Sequence, residues 1–596
     1  MDSIAASVEP LTTIICQRAW PNLHLAVNAC AAADYQATGH NLLSVLALLD
    51  EVPLAGVGSD ERLVMGQIID TVLTVFCLPD FVVAEEQGFL FLRYNVLIAN
   101  LMDGCLQTTT DHHIIKVQQH TQAAFKTLVL YSARNNQSVD IASLLVANPD
   151  LVSRWLFQTW KVIFSGNCSQ KVTANLQRFL SQMDHRILPA IDMQELYFGC
   201  TYPGFPEERR AKELINQAIQ KHIPLQIENR PVPDRIAVFS EYWSKGHSVH
   251  RTLAQYIAAL KPHCHLTLLH SLRESEDLDT SLFDDVIRIP FNGASLDLSS
   301  ISPNQFSVMI FPDVGMTLPS ILMVNLRCAP VQVMMTGHPV STFGAKVDYF
   351  ISGRDVDVPM LAPQMYSERL VLLPGYGAVH ELPTMPRQFR QKTAPEVIIN
   401  CSWYGQKIHW HWLETVNAAI KRCRSRVRLR VFAGQAPINH KGYPAFLNEV
   451  SRVITAAWTE VVPHLAYPDY MALMEEGDFA IDCYPFAGSN TVADNLYLRK
   501  PTLAREGFRW FNRIGPAMLR SAGLAELIAG SDQEYSDQLV KLVDDQQYRQ
   551  RFVDILADAD LERTVFHPQG APEFAQFIRN LSRDPHCYPG RDPIVL

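Results

Sequence analysis

Residues 479–499 read FAIDCYPFAGSNTVADNLYLR: five strand-like residues, a loop of small and polar residues, and from Asn490 a segment with helical spacing at Val492, Leu496 and Leu498. A strand that turns into a helix N-terminus offers unpaired N–H groups and the positive end of the helix dipole to an anion. Asn490 and Asp494 stand four apart and share one face of the first turn, with Thr491 beside them. The same stretch also reads as an ordinary helix cap. Further polar residues fall at or just after expected strand ends, where an open α/β sheet holds its ligand: Ser402 and Lys407, then Gln435, then His464. A lysine near a helix start suits a diphosphate, and a carboxylate such as Asp494 suits a ribose hydroxyl or holds the loop. Each alone is also what a polar surface loop contains; their shared placement favours a nucleotide site.

Two junctions upstream carry histidines. The strand expected at 236–240 runs into EYWSKGHSVHRT, which sets Gly246, His247 and His250 at a strand-to-helix turn, and Met335-Thr336-Gly337-His338-Pro339 forms another. Glycine permits close backbone approach, and imidazole is the side chain that changes protonation nearest neutral pH. Capping and packing a helix would use the same histidines. His247 and His250 have H-x-x-H spacing, but no carboxylate or cysteine stands at a ligand spacing from them to complete the set, so no metal is expected.

These residues need a scaffold that brings distant strand ends together. Up to residue 226 apolar residues recur at three- and four-residue spacing, as at Leu42, Leu43, Val45, Leu46 and Leu49, with almost no alternation, so an all-α domain is expected over 1–226. Prolines in 224–233 mark a boundary. Beyond it, strand candidates at 236–240, 265–270, 286–289, 306–311, 331–335 and 347–351 alternate with helical stretches. The pattern resumes with 397–401, 429–432, 461–464, 479–483 and 502–504. Such alternation predicts parallel sheets covered by helices, in two α/β domains at 227–385 and 386–596. The helices expected at 533–557 and 572–581 have the length to pack back across the cleft between them.

Composition narrows the class. The chain has 596 residues, 48% of them hydrophobic and 19% charged, which is ordinary for a globular protein. A formal net charge of −10 argues against nucleic acid as a partner. Twelve scattered cysteines without a C-x-x-C pair fit a reducing compartment. The start, MDSIAASVEPL, has no basic stretch followed by an apolar core, and no apolar run approaches a membrane span, so a cytoplasmic protein is expected.

Taken as an ordered series, the motifs carry a resemblance. They are APVQVMMTGHPVSTFGAKVDYFISG, MYSERLVLLPG, SWYGQKIHWHWLE, VFAGQ, PFAGSNTVADNLYLRKPTLA and GLAELIAGSDQEY, spread over 235–545. The series resembles glycosyltransferase family forty-one, which joins the protein O-GlcNAc transferases to bacterial cytoplasmic N-glucosyltransferases of high-molecular-weight adhesins. The helical N-terminal part without tetratricopeptide signatures, and GHS followed by RT at 246–252, resemble the bacterial branch. The resemblance implies a GT-B fold, two Rossmann-like domains facing a cleft. It also implies an inverting, metal-independent enzyme that moves a hexose from a UDP-sugar such as UDP-glucose to a protein side chain, an Asn in an N-x-S/T sequence, with an adhesin as candidate acceptor and no cofactor. By position it makes Lys407 a diphosphate contact, with Gln435, Asn490 and Asp494 around the nucleotide and His247 and His338 near the cleft. His338, Ser402, His464 and Thr491 join the expected donor site, and His247, His250 and Lys407 the expected catalytic group. The chain departs from the branch at Leu253, where a histidine is usual, at His250, where an aromatic is usual, and in the loop CYPFAGSNTVAD. O-linked transfer, a UDP-sugar epimerase, a lipid- or small-molecule-directed transferase and a non-catalytic nucleotide-binding interaction protein are the alternatives on this scaffold.

Overall fold

The computed structural model describes the chain apart from residues 1–10, 53–56, 167, 223–229, 275–276, 294, 389, 391, 393–394, 436–438 and 440. The expected leader-free start and the domain boundary at 226 fall outside the described residues. Two compact units result, one helical and one built on sheets.

The helical unit comprises Met1–Ile187 together with Tyr404–Leu413 and Ala433–Thr455 from far downstream. Helix Asn95–Leu106 is buried along most of its length. The amide of Asn95 holds the end of a neighbouring helix by donating to the carbonyls of Leu128, Val129 and Tyr131 at 3.1, 2.9 and 2.8 Å. Helix Tyr443–Val453 lies against it so closely that a Cβ on Gly104 would stand 2.9 Å from the backbone nitrogen of Ala445. Buried polar groups need partners; here Arg134 donates to Glu449 at 2.6 Å, Asp103 at 3.1 Å and Asn100 at 2.9 Å. No single helix among the described residues is long and apolar enough to cross a membrane.

In the sheet unit fourteen strands among the described residues form two parallel sheets. The first contains β1 (Val232–Phe239), β2 (His265–His270), β3 (Asp285–Arg288), β4 (Phe306–Phe311), β5 (Val331–Met334), β6 (Tyr349–Gly353) and β7 (Arg369–Leu373). The second contains β8 (Val397–Cys401), β9 (Val427–Phe432), β10 (Trp458–Val462), β11 (Phe479–Ile481), β12 (Thr502–Arg505) and β13 (Ile528–Ala529), and β14 (Ile594–Val595) returns to the first sheet beside β7. The orders are β14-β7-β6-β5-β4-β1-β2-β3 and β10-β9-β8-β11-β12-β13. Chain direction across each sheet therefore reverses between β1 and β4, and between β8 and β11. Strands buried on both faces read as near-continuous apolar runs; β4 and β5 are buried at every position, and their polar residues Ser307 and Gln332 are hydrogen-bonded.

The expected strands are present, with shifted ends. β10 spans Trp458–Val462, where 461–464 was expected. The segment RLVLL, flanked by irregular chain, adds β7. Helix Asp532–Asp544 packs on β12 and β13, whereas helix Ala571–Arg583 packs on β1 and β4. Its Ser582 hydroxyl accepts from the backbone of Asp234 at 2.6 Å and meets Ser307 at 2.7 Å.

Helix Glu208–His222 bonds the carbonyls of Thr342 and Phe343, beyond β5, through Asn216, and its buried Glu208 carboxylate meets Arg509, beyond β12. Glu208 receives Arg509, Lys212 at 3.1 Å and Thr201 at 2.7 Å. Burial alone would raise its pKa; Arg509 and Lys212 more than reverse this and hold it at about 2. Its stabilising effect is complete above the ordinary glutamate pKa and is lost as the pH falls through 4.5 toward 2. Glu208→Gln should cost about 3–5 kcal/mol at pH 7, because two buried cations lose their counter-charge. It should also flatten the acid limb of thermal stability between pH 4.5 and 2; melting curves at both ends of that window check this.

Candidate functional site

A doubly wound sheet opens its crevice where the strand order reverses. In the second sheet this is the loop leaving β11. Asp482 closes that loop: one carboxylate oxygen accepts from the N–H of Cys483 at 2.8 Å and of Gly488 at 2.7 Å. The Cys483 thiol donates to the Phe486 carbonyl at 3.0 Å. A Cβ on Gly488 would stand 2.2 Å from the Thr491 hydroxyl, so the loop lies directly on the first turn of helix Asn490–Tyr497. Ser489 occupies the cap position, yet its hydroxyl makes no cap bond; it pairs with Nε2 of His380 at 2.8 Å. The side-chain oxygen of Asn490 is buried and has no hydrogen-bond partner among the described residues. An orphaned acceptor next to first-turn N–H groups is equipped for a ligand that is anionic and also carries a donor.

One turn further on, Asp494 is committed. Arg251, from helix Ser248–Ala258 beside the first sheet, donates to Asp494 Oδ1 at 3.0 Å and to the Tyr467 hydroxyl at 3.1 Å, and Tyr467 donates to the same oxygen at 2.6 Å. The Asp494 side chain is 4% exposed and that of Arg251 16%. Burial raises the Asp494 pKa and Arg251 pulls it back only in part, leaving it above the usual aspartate value. His380 lies on a segment whose neighbours, Val379 and Glu381, donate their N–H groups to the carbonyls of Thr252 and Arg251, each at 3.0 Å. Burial, aided by Arg251, lowers the His380 pKa to about 3, so the ring is neutral. Arg251, His380 and Tyr467 were not singled out from the sequence. Arg251 stands in the quoted RT pair, and that was the available signal.

In the first sheet, the reversal sets Ser240, after β1, beside Asp313, after β4. Asp313 accepts from the Ser240 hydroxyl at 3.0 Å and the Glu241 N–H at 3.3 Å. Burial, reinforced by Glu241, lifts its pKa to about 7. Close by in sequence, His247 stacks on Tyr242 with ring centres 4.4 Å apart. Its Nδ1 accepts the Val249 N–H at 3.2 Å, which caps helix Ser248–Ala258. The neutral ring then carries its proton on Nε2, and burial lowers its pKa to about 4. His247 can therefore donate a hydrogen bond at neutral pH but has no lone pair left for a proton.

His250 and His338 are the converse case. His250 Nε2 meets Asp279 at 3.0 Å, while its buried Nδ1 has no hydrogen-bond partner among the described residues, with Glu381 4.0 Å away. The carboxylates missing at ligand spacing in the sequence are supplied by the fold. His338 follows β5 at a glycine that could not be otherwise, since a Cβ on Gly337 would stand 2.3 Å from the Pro312 carbonyl. His338 bonds the Val314 backbone, and its Nε2 is buried without a partner. Phe198 lies 4.5 Å from its ring, and burial together with Lys212 keeps its pKa well below the ordinary value.

The remaining expected residues are more dispersed. Ser402, directly after β8, is buried and meets the Tyr470 hydroxyl at 3.1 Å. Thr491 is half-buried in the first helical turn, and His464 is exposed just beyond β10. Lys407 ends the short turn Gly405–Lys407 after β8, and Gln435 is exposed just after β9; both belong to segments of the helical unit. Within that unit the Tyr404 ring covers Gly434, where a Cβ would stand 2.2 Å from it. Asp70, His112 and His113 also bring potential metal-ligand atoms within 4.8 Å of one another. The His113 nitrogen facing Asp70 is Nε2, at 3.7 Å. A metal there would force the proton onto Nδ1, which is buried without an acceptor. This group is a poor ligand set.

Two parallel sheets, each with its own switch point and preceded by a helical region, define a GT-B-like architecture. A variant O-GlcNAc transferase from Thermobaculum terrenum has the same fold, with a TM-score of 0.54 and 16% identity over 96% of this chain and 98% of that one. No family model matches the sequence. Two UDP-glucose:protein N-β-glucosyltransferases from Actinobacillus pleuropneumoniae, of serotypes 5b and 7, are each 22% identical to it over 94% of this chain and 98% of their own length. A probable UDP-N-acetylglucosamine–peptide N-acetylglucosaminyltransferase SPINDLY of Solanum lycopersicum is 25% identical over 53% of this chain and 35% of the relative. The chain is a glycosyltransferase related to the bacterial protein N-glucosyltransferases.

Asp482→Ala should destabilise the fold by about 2–4 kcal/mol, since two buried N–H groups lose a charged acceptor. Equilibrium denaturant unfolding measures the change.

Proposed function

We propose that the protein transfers a hexose from a UDP-sugar, UDP-glucose first among them, to a protein side chain, with Asn in an N-x-S/T sequence as acceptor and inversion at the anomeric carbon. The near-complete overlap with the two Actinobacillus enzymes carries this reading. The first turn at Asn490, with its orphaned amide oxygen, supports the nucleotide side of it. In this reading the diphosphate meets the N–H groups of the Asn490 helix, and Ser402, His464 and Thr491 line the donor; Lys407 and Gln435 are carried as donor contacts on the resemblance alone. Asp494 directs its remaining oxygen to a ribose hydroxyl.

Transfer is a single displacement. The acceptor nitrogen attacks the anomeric carbon, the bond from that carbon to the β-phosphate oxygen breaks, and UDP leaves with the electron pair. Positive charge aimed where the leaving group becomes negative lowers the barrier, and Lys407 with the helix N-terminus supplies it without a metal. The acceptor proton goes to an imidazole with a bare lone pair. By that criterion His250, oriented by Asp279, is the candidate, His247 serves as a hydrogen-bond donor, and His338 keeps its place on the sugar-donor side. The reaction is assigned to the cytoplasm, with an adhesin as candidate acceptor. The SPINDLY similarity favours a second reading, transfer of N-acetylglucosamine to Ser or Thr.

Incubation with radiolabelled UDP-glucose and an N-x-S/T peptide should move label into the peptide, and Lys407→Ala should lower turnover about 10²–10³-fold. Label that stays in the sugar nucleotide would sink the transfer reading. An unchanged Lys407→Ala rate would remove the diphosphate role. Peptide mass separates a hexose from an N-acetylhexosamine.

A further inference from the structure

The first turn of the Asn490 helix is held by side chains from outside its own sheet. His380 reaches Ser489 and Arg251 reaches Asp494, and the two are tied together because the residues flanking His380 bond the carbonyls of Arg251 and Thr252. Arg251 is also 4.9 Å over the Tyr467 ring, so its plane and both of its hydrogen bonds are set before any ligand arrives. We propose that Arg251 is a positioning residue of the sugar-nucleotide site: it fixes the Asp494 carboxylate in charge and in direction, and so determines how that carboxylate meets a ribose hydroxyl. This rests on the nucleotide reading above.

The groups facing Asp494 are few. Arg251 comes from helix Ser248–Ala258, Tyr467 from helix Tyr467–Glu475, and neutral His380 stands next to Arg251 from the 379–381 segment. Among the described residues Arg251 is the cation set against this carboxylate. Without it, burial acts unopposed except by the Tyr467 hydroxyl, and the Asp494 pKa climbs further. A protonated Asp494 keeps its shape but loses its strength as an acceptor. The variant should then bind donor poorly at low pH and recover as the pH rises. A loss of packing alone has no such dependence.

The test is the dissociation constant of UDP-glucose, whose phosphates do not titrate near neutrality, for the full chain at pH 6.5, 7.5 and 8.5. Wild type sets the reference pH profile, and 'flat' means parallel to it. Arg251→Gln should bind about tenfold or more weakly at pH 6.5 and regain several-fold by pH 8.5. Arg251→Lys, which keeps the charge but not the planar fork, should stay within about tenfold of wild type and flat. Asp494→Asn should be weak and flat. Arg251→Gln binding like wild type, or weakened equally at every pH, overturns the proposal. If that variant does not fold, a folded Arg251→Lys that binds as poorly as Asp494→Asn overturns it, and rescue supports it. Wild type failing to bind UDP-glucose sinks the nucleotide reading and this inference together; wild-type binding with a pH-independent Arg251→Gln defect sinks this inference alone.

Discussion

The buried ion pair between Arg251 and Asp494 is the constraint on which the sheet unit depends. Removing two charges from water is unfavourable, and the loss is offset only when geometry is good and the remaining polar atoms are satisfied. Tyr467 meets that condition by bonding both partners. The pair joins a helix beside the first sheet to the helix that follows β11 in the second, and His380 to Ser489 makes a parallel tie one turn earlier. Together they fix the first turn of the helix that follows β11, which carries the orphaned Asn490 oxygen. Glu208 with Arg509 and Lys212 repeats the device elsewhere in the same unit, with the carboxylate held fully ionised.

The histidines are sorted by what each ring has already given away. His247 spends its lone pair on the Val249 N–H and becomes a donor. His250 gives its Nε2 side to Asp279, and His338 uses the Val314 backbone, so each keeps a bare nitrogen. Residue type alone does not separate His247 from His250. Tautomer, set by neighbours, separates a proton acceptor from a hydrogen-bond donor.

Much of the scaffold was legible because long apolar runs alternating with helical spacing leave little choice: β4 is FSVMIF, buried throughout, and must lie inside a covered parallel sheet. The strand, loop and helix start at 479–490 were legible for the same reason. What could not be read was pairing across long separations. Arg251 and Asp494 are 243 residues apart, and no periodicity links them. Asp494 therefore looked like a residue open to a ligand, although one of its oxygens is already bound. Helix Tyr443–Val453 was read as part of an α/β domain, but the closeness it needs is provided by Gly104 in the N-terminal helices. The strands β13 and β14 are two residues long, too short for alternation to register.

The account places the anionic end of a sugar nucleotide on the first turn of the Asn490 helix. Amide hydrogen exchange of the chain with and without UDP tests this most directly, because it reports where backbone N–H groups acquire a partner. Protection concentrated in 488–493, next to the loop closed by Asp482, is the result predicted. Binding of UDP that leaves those amides exchanging at their free rate would contradict it.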